Sequence, residues 1–239
     1  MGKPVVIFCG GYGSRMGNET NLIPKPMVKI GGTPILIHLL KYFRDYGHNE
    51  FILCLGHKKD QIIKYFEANP LSNVTVHLID TGDGSTSKSD RLLKIEHLIK
   101  EDTFFCAYGD DLSNVNLEAL LRFHARNKKT VTITAVNLKS NFGIIKINEE
   151  DAIVDFTEKP ILIDIWMNGG FAVFNKGIFK LLKYGELEKH VYKLLVKNNN
   201  ICAFKHSGFW HGVNTMKDQN YLNKICLEGK LPWRTKLDD

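Results

Sequence analysis

The stretch "PVVIFCGGYGSRM", Pro4–Met16, decides the fold. An apolar run reads as a buried strand, and it ends in a loop with three glycines among the nine residues Phe8–Met16. A glycine-rich loop at the end of a strand lets backbone N–H groups approach a phosphate closely. The spacing G-G-Y-G-S-R excludes two standard forms. The dinucleotide fingerprint would need glycine where Met16 stands, and the P-loop would need Gly-Lys-Ser/Thr. Arg15 follows the loop at once, and Lys25 stands between Pro24 and Pro26, whose rings fix the local backbone and bar a helix. A guanidinium and a positioned ammonium beside such a loop suit a polyphosphate. A purely structural glycine turn and an exposed loop lysine remain the alternatives.

Working outward, the pattern alternates. "TPILIHLLKYFRDYG" predicts a helix with Thr33 as cap, Pro34 in its first turn, Ile35, Leu36, Leu39, Leu40 and Phe43 on one face, and Gly47 as its stop. Strand "EFILCLG", helix "KDQIIKYFEA", strand "VTVHLID", helix "DRLLKIEHLIK", strand "TFFCAYGDD", helix "LEALLRFHARN" and strand "TVTITAV" follow. Strands alternating with helices predict βαβ units. The expected class is α/β: a mostly parallel, Rossmann-like central sheet flanked by helices. After about Asn137 the rhythm changes to short strands, "GIIKI", "AIVDFTEKP" and "GGFAVFN", which predict a small antiparallel addition in the C-terminal half. Helices are expected at Lys176–Tyr184, Leu187–Lys197 and Thr215–Leu227, with "ICAFKH" a strand before the last. With no repeat, linker or low-complexity tract, residues 1–239 are expected to form one domain, 1–137 serving a nucleotide and 138–239 an acceptor.

Composition bounds the function. The chain has 239 residues, 44% apolar and 24% charged, enough for a sizeable core. No apolar run has the length of a bilayer-spanning helix, and the N-terminus does not read as a signal peptide. The five cysteines are odd in number and lack a CxxC spacing, as expected of thiols in a reducing, cytoplasmic setting. The net charge of +6 is scattered; it fits a polyanionic small substrate better than nucleic acid, for which a basic stretch interleaved with aromatics is missing.

Other residues at strand ends carry candidate chemistry. "YGDD" puts Asp110 and Asp111 after a strand; one carboxylate beside a triphosphate fits magnesium, so Asp110 is expected to bind the metal and Asp111 to cap or support. "FTEKP" offers Glu158 and Lys159, and "NGGF" offers Asn168, Gly169 and Gly170, suited to an acceptor phosphate and its hydroxyls or amines. The histidines show no ligand spacing, and no GxSxG elbow occurs.

These motifs together resemble a known family. "CGGYGSRM", "PKPMVKIGGTPILIHLLKYF", "DTGDGS", "AYGDDL", "FTEKP", "MNGGFAVFN", "GFWHGVNT" and "EGKLPW" run in the order found in the nucleoside-diphosphate-sugar pyrophosphorylases, and most resemble the glucose-1-phosphate cytidylyltransferases. The resemblance implies a nucleotidyltransferase fold and attack of a phosphate monoester on the α-phosphorus of an NTP, with Mg2+ assistance and release of pyrophosphate. It implies that Arg15 and Lys25 are catalytic. It implies that Phe8, Cys9, Gly10, Gly11, Tyr12, Gly13 and Ser14, with Thr86, Arg91 and Gly109, bind the nucleotide. Asp110 would bind the metal, and Glu158, Lys159, Asn168 and Gly169 would face the acceptor. The implied partners are CTP, or UTP or dTTP on the same scaffold, and a phosphorylated small molecule destined for surface polysaccharide. Neither nucleic acid nor membrane is implied, and a homo-oligomer is left open. A nucleotide-binding homologue without turnover is the non-enzymatic alternative.

Three departures stand out. Asn214 in "GVNT" replaces the family's second metal-binding aspartate; its carbonyl oxygen still ligates magnesium but brings no charge. The segment usually found between the "VTVHL" strand and "DTG" is absent. "SKSDR" replaces a glycine pair, and "EKPILIDIWMNGG" carries an extra apolar stretch. The acceptor is therefore a sugar phosphate or a non-sugar phosphate such as a phosphorylated amino acid, phosphonate or alditol phosphate.

Overall fold

Strand β1, Val5–Phe8, is apolar along its length because it runs through the middle of the sheet. It pairs in parallel with β4 (Glu50–Leu55) on one side and with β6 (Thr103–Tyr108) on the other. The computed structural model describes residues 2–13 and 23–234. A short hairpin, β2 (Lys29–Ile30) and β3 (Thr33–Pro34), turns through Gly31 and Gly32, both at positive φ. This hairpin claims Thr33, so Thr33 does not cap helix α1 (Ile35–Asp45) as the sequence suggested; Pro34 stands at the cap, with extended ψ and no side-chain bond. Gly47, with φ 81°, ends α1 as expected.

The chain continues through α2 (Lys59–Ala68), β5 (Thr75–Asp80), α3 (Lys88–Ile95), β6, β7 (Asp111–Ser113), α4 (Leu117–Asn127) and β8 (Val131–Lys139). Then come β9 (Ile144–Ile147), β10 (Ile153–Thr157), β11 (Ile161–Asn175), α5 (Phe179–Leu182), α6 (Tyr192–Lys197), β12 (Ile201–His206), β13 (Trp210–Gly212) and α7 (Met216–Leu227). The seven-stranded sheet has the order β12-β8-β11-β6-β1-β4-β5. Only β11 runs against its neighbours, β6 and β8. The late antiparallel element is thus no mere appendage: the "GGFAVFN" segment is the buried end of a 15-residue strand in the heart of the sheet. The separate addition is the two-stranded β9–β10 hairpin.

Alternation along β1 divides the core between two faces. Val5 and Ile7 join the layer covered by α1, α2, α4 and α7, where Phe43, Phe105 and Phe171 pack together. Val6 joins the layer under α3, α5 and α6, with Phe104 against Phe174 and Phe179. The expected helix at Lys176–Tyr184 begins as a 3-10 turn before α5, and a π-helical turn at Leu187–Val191 leads into α6. Among the described residues no helix is long and apolar enough to cross a membrane. The five cysteines are unpaired, with Cys9, Cys54 and Cys106 buried in strands or at their ends.

Candidate functional site

The carboxyl ends of β1 and β6 lie side by side and open into a cavity of about 490 Å³, the place where open α/β sheets bind ligands. Phe8, Cys9, Gly11 and Gly13 line it from β1 and its loop, Tyr108, Gly109 and Asp110 from β6, and Lys25 and Pro26 from the Pro-Lys-Pro turn. Three backbone bonds fix the loop's start: Cys9 N donates to the Cys54 carbonyl (3.0 Å), His57 N to the Gly10 carbonyl (3.2 Å) and Gly109 N to the Phe8 carbonyl (3.0 Å). Burial pushes the Cys9 thiol well up, so it stays protonated and inert.

Lys25 sits in a single 3-10 turn, Lys25–Met27, where the two prolines were expected to bar a helix. Its ammonium donates to the Asp110 carboxylate and to Asn214 Oδ1 at 2.8 Å. The side chain is only 12% exposed, so its geometry is held rather than solvated. Asp110 and Asn214 meet because β7 pairs antiparallel with β13, Asp111 opposite Gly212, and Val213 N bonds the Asp110 carbonyl at 2.8 Å. Asn214 is steadied in turn: its amide N donates to Asp218 Oδ2 (3.0 Å), and Thr215 and Asp218 form a capping box at the start of α7. Burial works against the charge on Asp218, but donors from Thr215 and from the Asn214 and Thr215 amides outweigh it and hold the carboxyl below its usual range.

Asp111 is buried beside them. Burial, reinforced by the negative charge of Asp110, pushes its carboxyl well above the ordinary range. Its side chain lies where a Cβ on Gly170 (φ 80°) would come within 2.2 Å of Oδ2, so only glycine fits there. Asn168 lines the opposite wall, its amide donating to the Tyr108 hydroxyl (3.1 Å), which itself donates to Glu188 (2.8 Å). Gly169 acts through its carbonyl, which accepts from the Trp210 indole N–H at 2.7 Å.

The other expected site residues lie elsewhere. Arg91 is buried, and its guanidinium reaches the Leu55 carbonyl (2.9 Å), Thr81 Oγ1 (2.7 Å), the Gly10 carbonyl (3.0 Å) and the Asp83 carbonyl. Those bonds clamp the ends of β1, β4 and β5 together, and the side chain also borders the second cavity that Thr86 lines. Gly56 completes this junction, where an added Cβ would lie 2.7 Å from two carbonyls. Thr86 lines an adjoining cavity of about 290 Å³ with Gly10, Gly11 and Lys88. Tyr12 is half exposed and packs against His57 with the rings tilted at 58°. Glu158 and Lys159 pair with each other at 2.8 Å, well exposed, and are not on the cavity wall. Ser14 and Arg15 fall outside the described residues.

Three lining residues escaped the sequence reading: Lys88, Tyr108 and Trp210. Lys88 borders both cavities, pairs with Glu188 and lies 4.5 Å over the Tyr108 ring. Tyr108 directly precedes "GDD", and Trp210 closely precedes "GVN"; adjacency to those motifs was the available signal. Among the described residues no three His, Cys, Asp or Glu side chains cluster as a metal cage. The oxygens of Asp110 and Asn214 nevertheless converge on one cationic centre, the Lys25 ammonium. One carboxylate and one neutral oxygen, with the remaining positions left to phosphate and water, is a donor set that magnesium accepts.

Comparison with known proteins agrees with this geometry. A family model described as nucleotidyl transferase matches residues 4–223. The glucose-1-phosphate cytidylyltransferase of Salmonella typhi is 34% identical, with 96% of this chain and 98% of that protein covered. The mannose-1-phosphate guanylyltransferase catalytic subunit beta of Drosophila pseudoobscura is 28% identical, covering 95% of this chain and 62% of its own. Among solved structures, HddC from Yersinia pseudotuberculosis shares the fold with a TM-score of 0.72 at 23% identity, covering 95% of this chain and all of that one.

Proposed function

Because the chain belongs to the nucleotidyl transferase family, we propose that it is a CTP-dependent enzyme that joins CMP to a phosphate-bearing acceptor and releases pyrophosphate. The observation that carries this reading is the meeting of Lys25, Asp110 and Asn214 at the ends of β1 and β6, beside the glycine loop. An acceptor phosphate oxygen attacks the α-phosphorus of CTP. The new O–P bond forms as the bond to the bridging oxygen breaks, and pyrophosphate leaves with the electron pair. Two anions must be aligned and their charge neutralised, so positioning and fixed positive charge supply the rate.

In this reading the loop amides of Gly10–Gly13 receive the triphosphate, and Arg15 follows them in sequence to hold its far end. Lys25 donates to a non-bridging oxygen on which charge develops. Asp110 and Asn214 would hold magnesium, which when bound neutralises part of the triphosphate charge. Residues 1–137 contribute the nucleotide side of the cavity, and Asn168, Trp210 and Asn214 contribute the acceptor side. The preference for CTP rests on the Salmonella relative. The acceptor is a sugar 1-phosphate or a non-sugar phosphate such as a phosphorylated amino acid. The CMP-linked product would be the activated donor for assembly of a surface polysaccharide.

The test is a matrix. Each of CTP, UTP, dTTP, ATP and GTP is combined with magnesium and a panel of phosphate monoesters, and pyrophosphate is followed. CTP-dependent release with at least one acceptor is expected. Release with UTP or dTTP alone would replace the nucleotide assignment, and nucleotide binding without release from any pair would refute the enzyme reading.

A further inference from the structure

One charged side chain on the cavity wall has no partner among the described residues. Lys25 pairs with Asp110, and Lys88 with Glu188. Asp111 lines the same cavity, is 5% exposed, and among the described residues no hydrogen bond or ion pair reaches its carboxylate. The side chain is seated rather than loose. An added Cβ on Gly170 would lie 2.2 Å from Oδ2, and one on Gly212 would lie 2.9 Å from Oδ1. Two strands, β11 and β13, therefore leave out a side chain to make room for it. A buried carboxyl without a partner is costly, and folded proteins seldom keep one.

The polar groups around it mostly have partners already. Asn168 donates to the Tyr108 hydroxyl and accepts from Gly170 N, each at 3.1 Å. The Tyr108 hydroxyl donates to Glu188, and the Trp210 indole N–H to the Gly169 carbonyl. Phe8, Tyr108 and Trp210 add ring surface to the wall. A sugar ring brings several hydroxyls, each of which needs a partner when it leaves water. Glu158 and Lys159, expected to read them, pair with each other away from this wall. A small acceptor with one cationic group suits the wall better: the carboxylate takes the charge, and the rings take the methylenes beside it.

We infer that Asp111 is a specificity-determining residue and that the acceptor is an aminoalkyl phosphate, its ammonium against Asp111 and its phosphate beside Lys25. The inference rests on the transfer reaction proposed above. Asp110 and Asn214 turn toward Lys25, whereas Asp111 packs against Gly170 and Gly212. The two aspartates are consecutive and line one cavity, so a short alkyl chain joins the two charged ends. The attacking atom is a phosphate oxygen. The ammonium keeps its protons and takes no part in bond making.

The experiment compares 2-aminoethyl and 3-aminopropyl phosphate with n-propyl and n-butyl phosphate, in which a methyl group replaces the ammonium, and with glucose 1-phosphate. Pyrophosphate release with CTP and magnesium gives kcat/KM for each. In at least one matched pair the amine is expected to exceed its alkyl counterpart by about tenfold to a hundredfold, the range for one hydrogen bond to a charged group, and to exceed glucose 1-phosphate. In Asp111→Asn, almost the same size, that ratio is expected to fall toward one, with the melting temperature checking the fold. Parity within both native pairs, a native preference for glucose 1-phosphate, or a ratio that survives Asp111→Asn overturns the inference. So does an Asp111→Asn variant that loses Mn2+ affinity tenfold while keeping the ratio, which would make Asp111 a metal ligand. The native comparison needs no variant. If no pair turns over, the proposed reaction fails on its own. Calorimetric titration of the same phosphates into the native chain with α,β-methylene CTP and magnesium then decides: a tenfold preference for an amine upholds the inference, and parity or no binding overturns it.

Discussion

Replacing Arg91 by methionine separates a clamp from a ligand contact. Four acceptors lose their donor together: the carbonyls of Leu55, Gly10 and Asp83, and Thr81 Oγ1. A hydrogen bond to a charged group contributes about 1.5–3 kcal/mol net, and the contributions do not add in one network. Burial disfavours the guanidinium itself, pulling its pKa below the usual value, and that cost is relieved when the charge is removed. Leu55 O keeps donors from Thr81 N (3.0 Å) and Thr81 Oγ1 (2.6 Å), and Gly10 O keeps His57 N, so part of the loss is cushioned. Balancing these, Arg91→Met should cost about 3–5 kcal/mol, as if about two of the four bonds went uncompensated at about 1.5–3 kcal/mol each. For a chain of this size, that lowers the melting temperature by roughly 6–20 °C. Arg91→Lys keeps the charge but has one nitrogen where the fork has two, and should recover less than half. Urea unfolding and thermal melts without nucleotide provide the measurement. A methionine variant that melts within about 2 °C of the native chain yet binds CTP poorly would refute the clamp and make Arg91 a direct ligand.

Lys25→Met should lower turnover by about 100–1,000-fold, the loss typical for one positioned transition-state donor; single-turnover pyrophosphate release measures it, and a smaller drop than tenfold would contradict the assigned role. Asn214→Asp adds a second carboxylate beside Asp110 and should tighten Mn2+ binding, read by electron paramagnetic resonance, by about tenfold or more, since a unit charge about 4 Å from a divalent ion contributes roughly 2 kcal/mol even in water and about 1.4 kcal/mol is tenfold. His48 is buried against the Phe43 and Phe105 rings and accepts from Lys3 N at 2.8 Å. Burial pulls its pKa down to about 4, below the unfolded value of 6.5. A base depressed in the folded state leaves stability intact above pH 6.5 and removes it as pH falls toward 4, because only the unfolded chain takes up the proton. Urea unfolding should therefore show a loss on the order of 2 kcal/mol between pH 7 and pH 4.5, flattened in His48→Asn.

What was legible in the sequence was what is encoded locally. The helices α2 and α4 fall on the residues their apolar periodicity marks. Contacts made at long range were not legible. β7 and β13 are three residues each, too short for any periodic signal, yet their pairing brings Asp110 to Asn214. Thr33 was misread because a cap and a turn use the same residue types, and the two positive-φ glycines before it decided for the turn. Arg91 clamps backbone carbonyls, which carry no residue signature. The apolar stretch in "EKPILIDIWMNGG" reads in sequence as part of the acceptor pocket, yet Ile161, Ile163 and Ile165 are exposed, because sequence does not say that its strand leaves the core before its apolar residues end.

The charges in the cavity explain why asparagine at position 214 is workable. Lys25 and Asp110 form one neutral pair. Asp111 is held toward its protonated form by burial and by the neighbouring carboxylate. A second full carboxylate at 214 would bring a third acid to a site with one lysine at its centre, and like charges so close raise one another's pKa. Asn214 keeps the geometry, a carbonyl oxygen 2.8 Å from the ammonium, without that repulsion. The consequence is a site nearly neutral before substrate arrives; in the proposed reaction the attraction for a triphosphate would come from the loop amides and Lys88, with Arg15 expected to add to it. In that reading magnesium, with one carboxylate from the protein, would gain most of its ligand charge from the phosphates. Mn2+ should accordingly bind weakly to the free protein and much more tightly with CTP present, and in Asn214→Asp that difference should shrink.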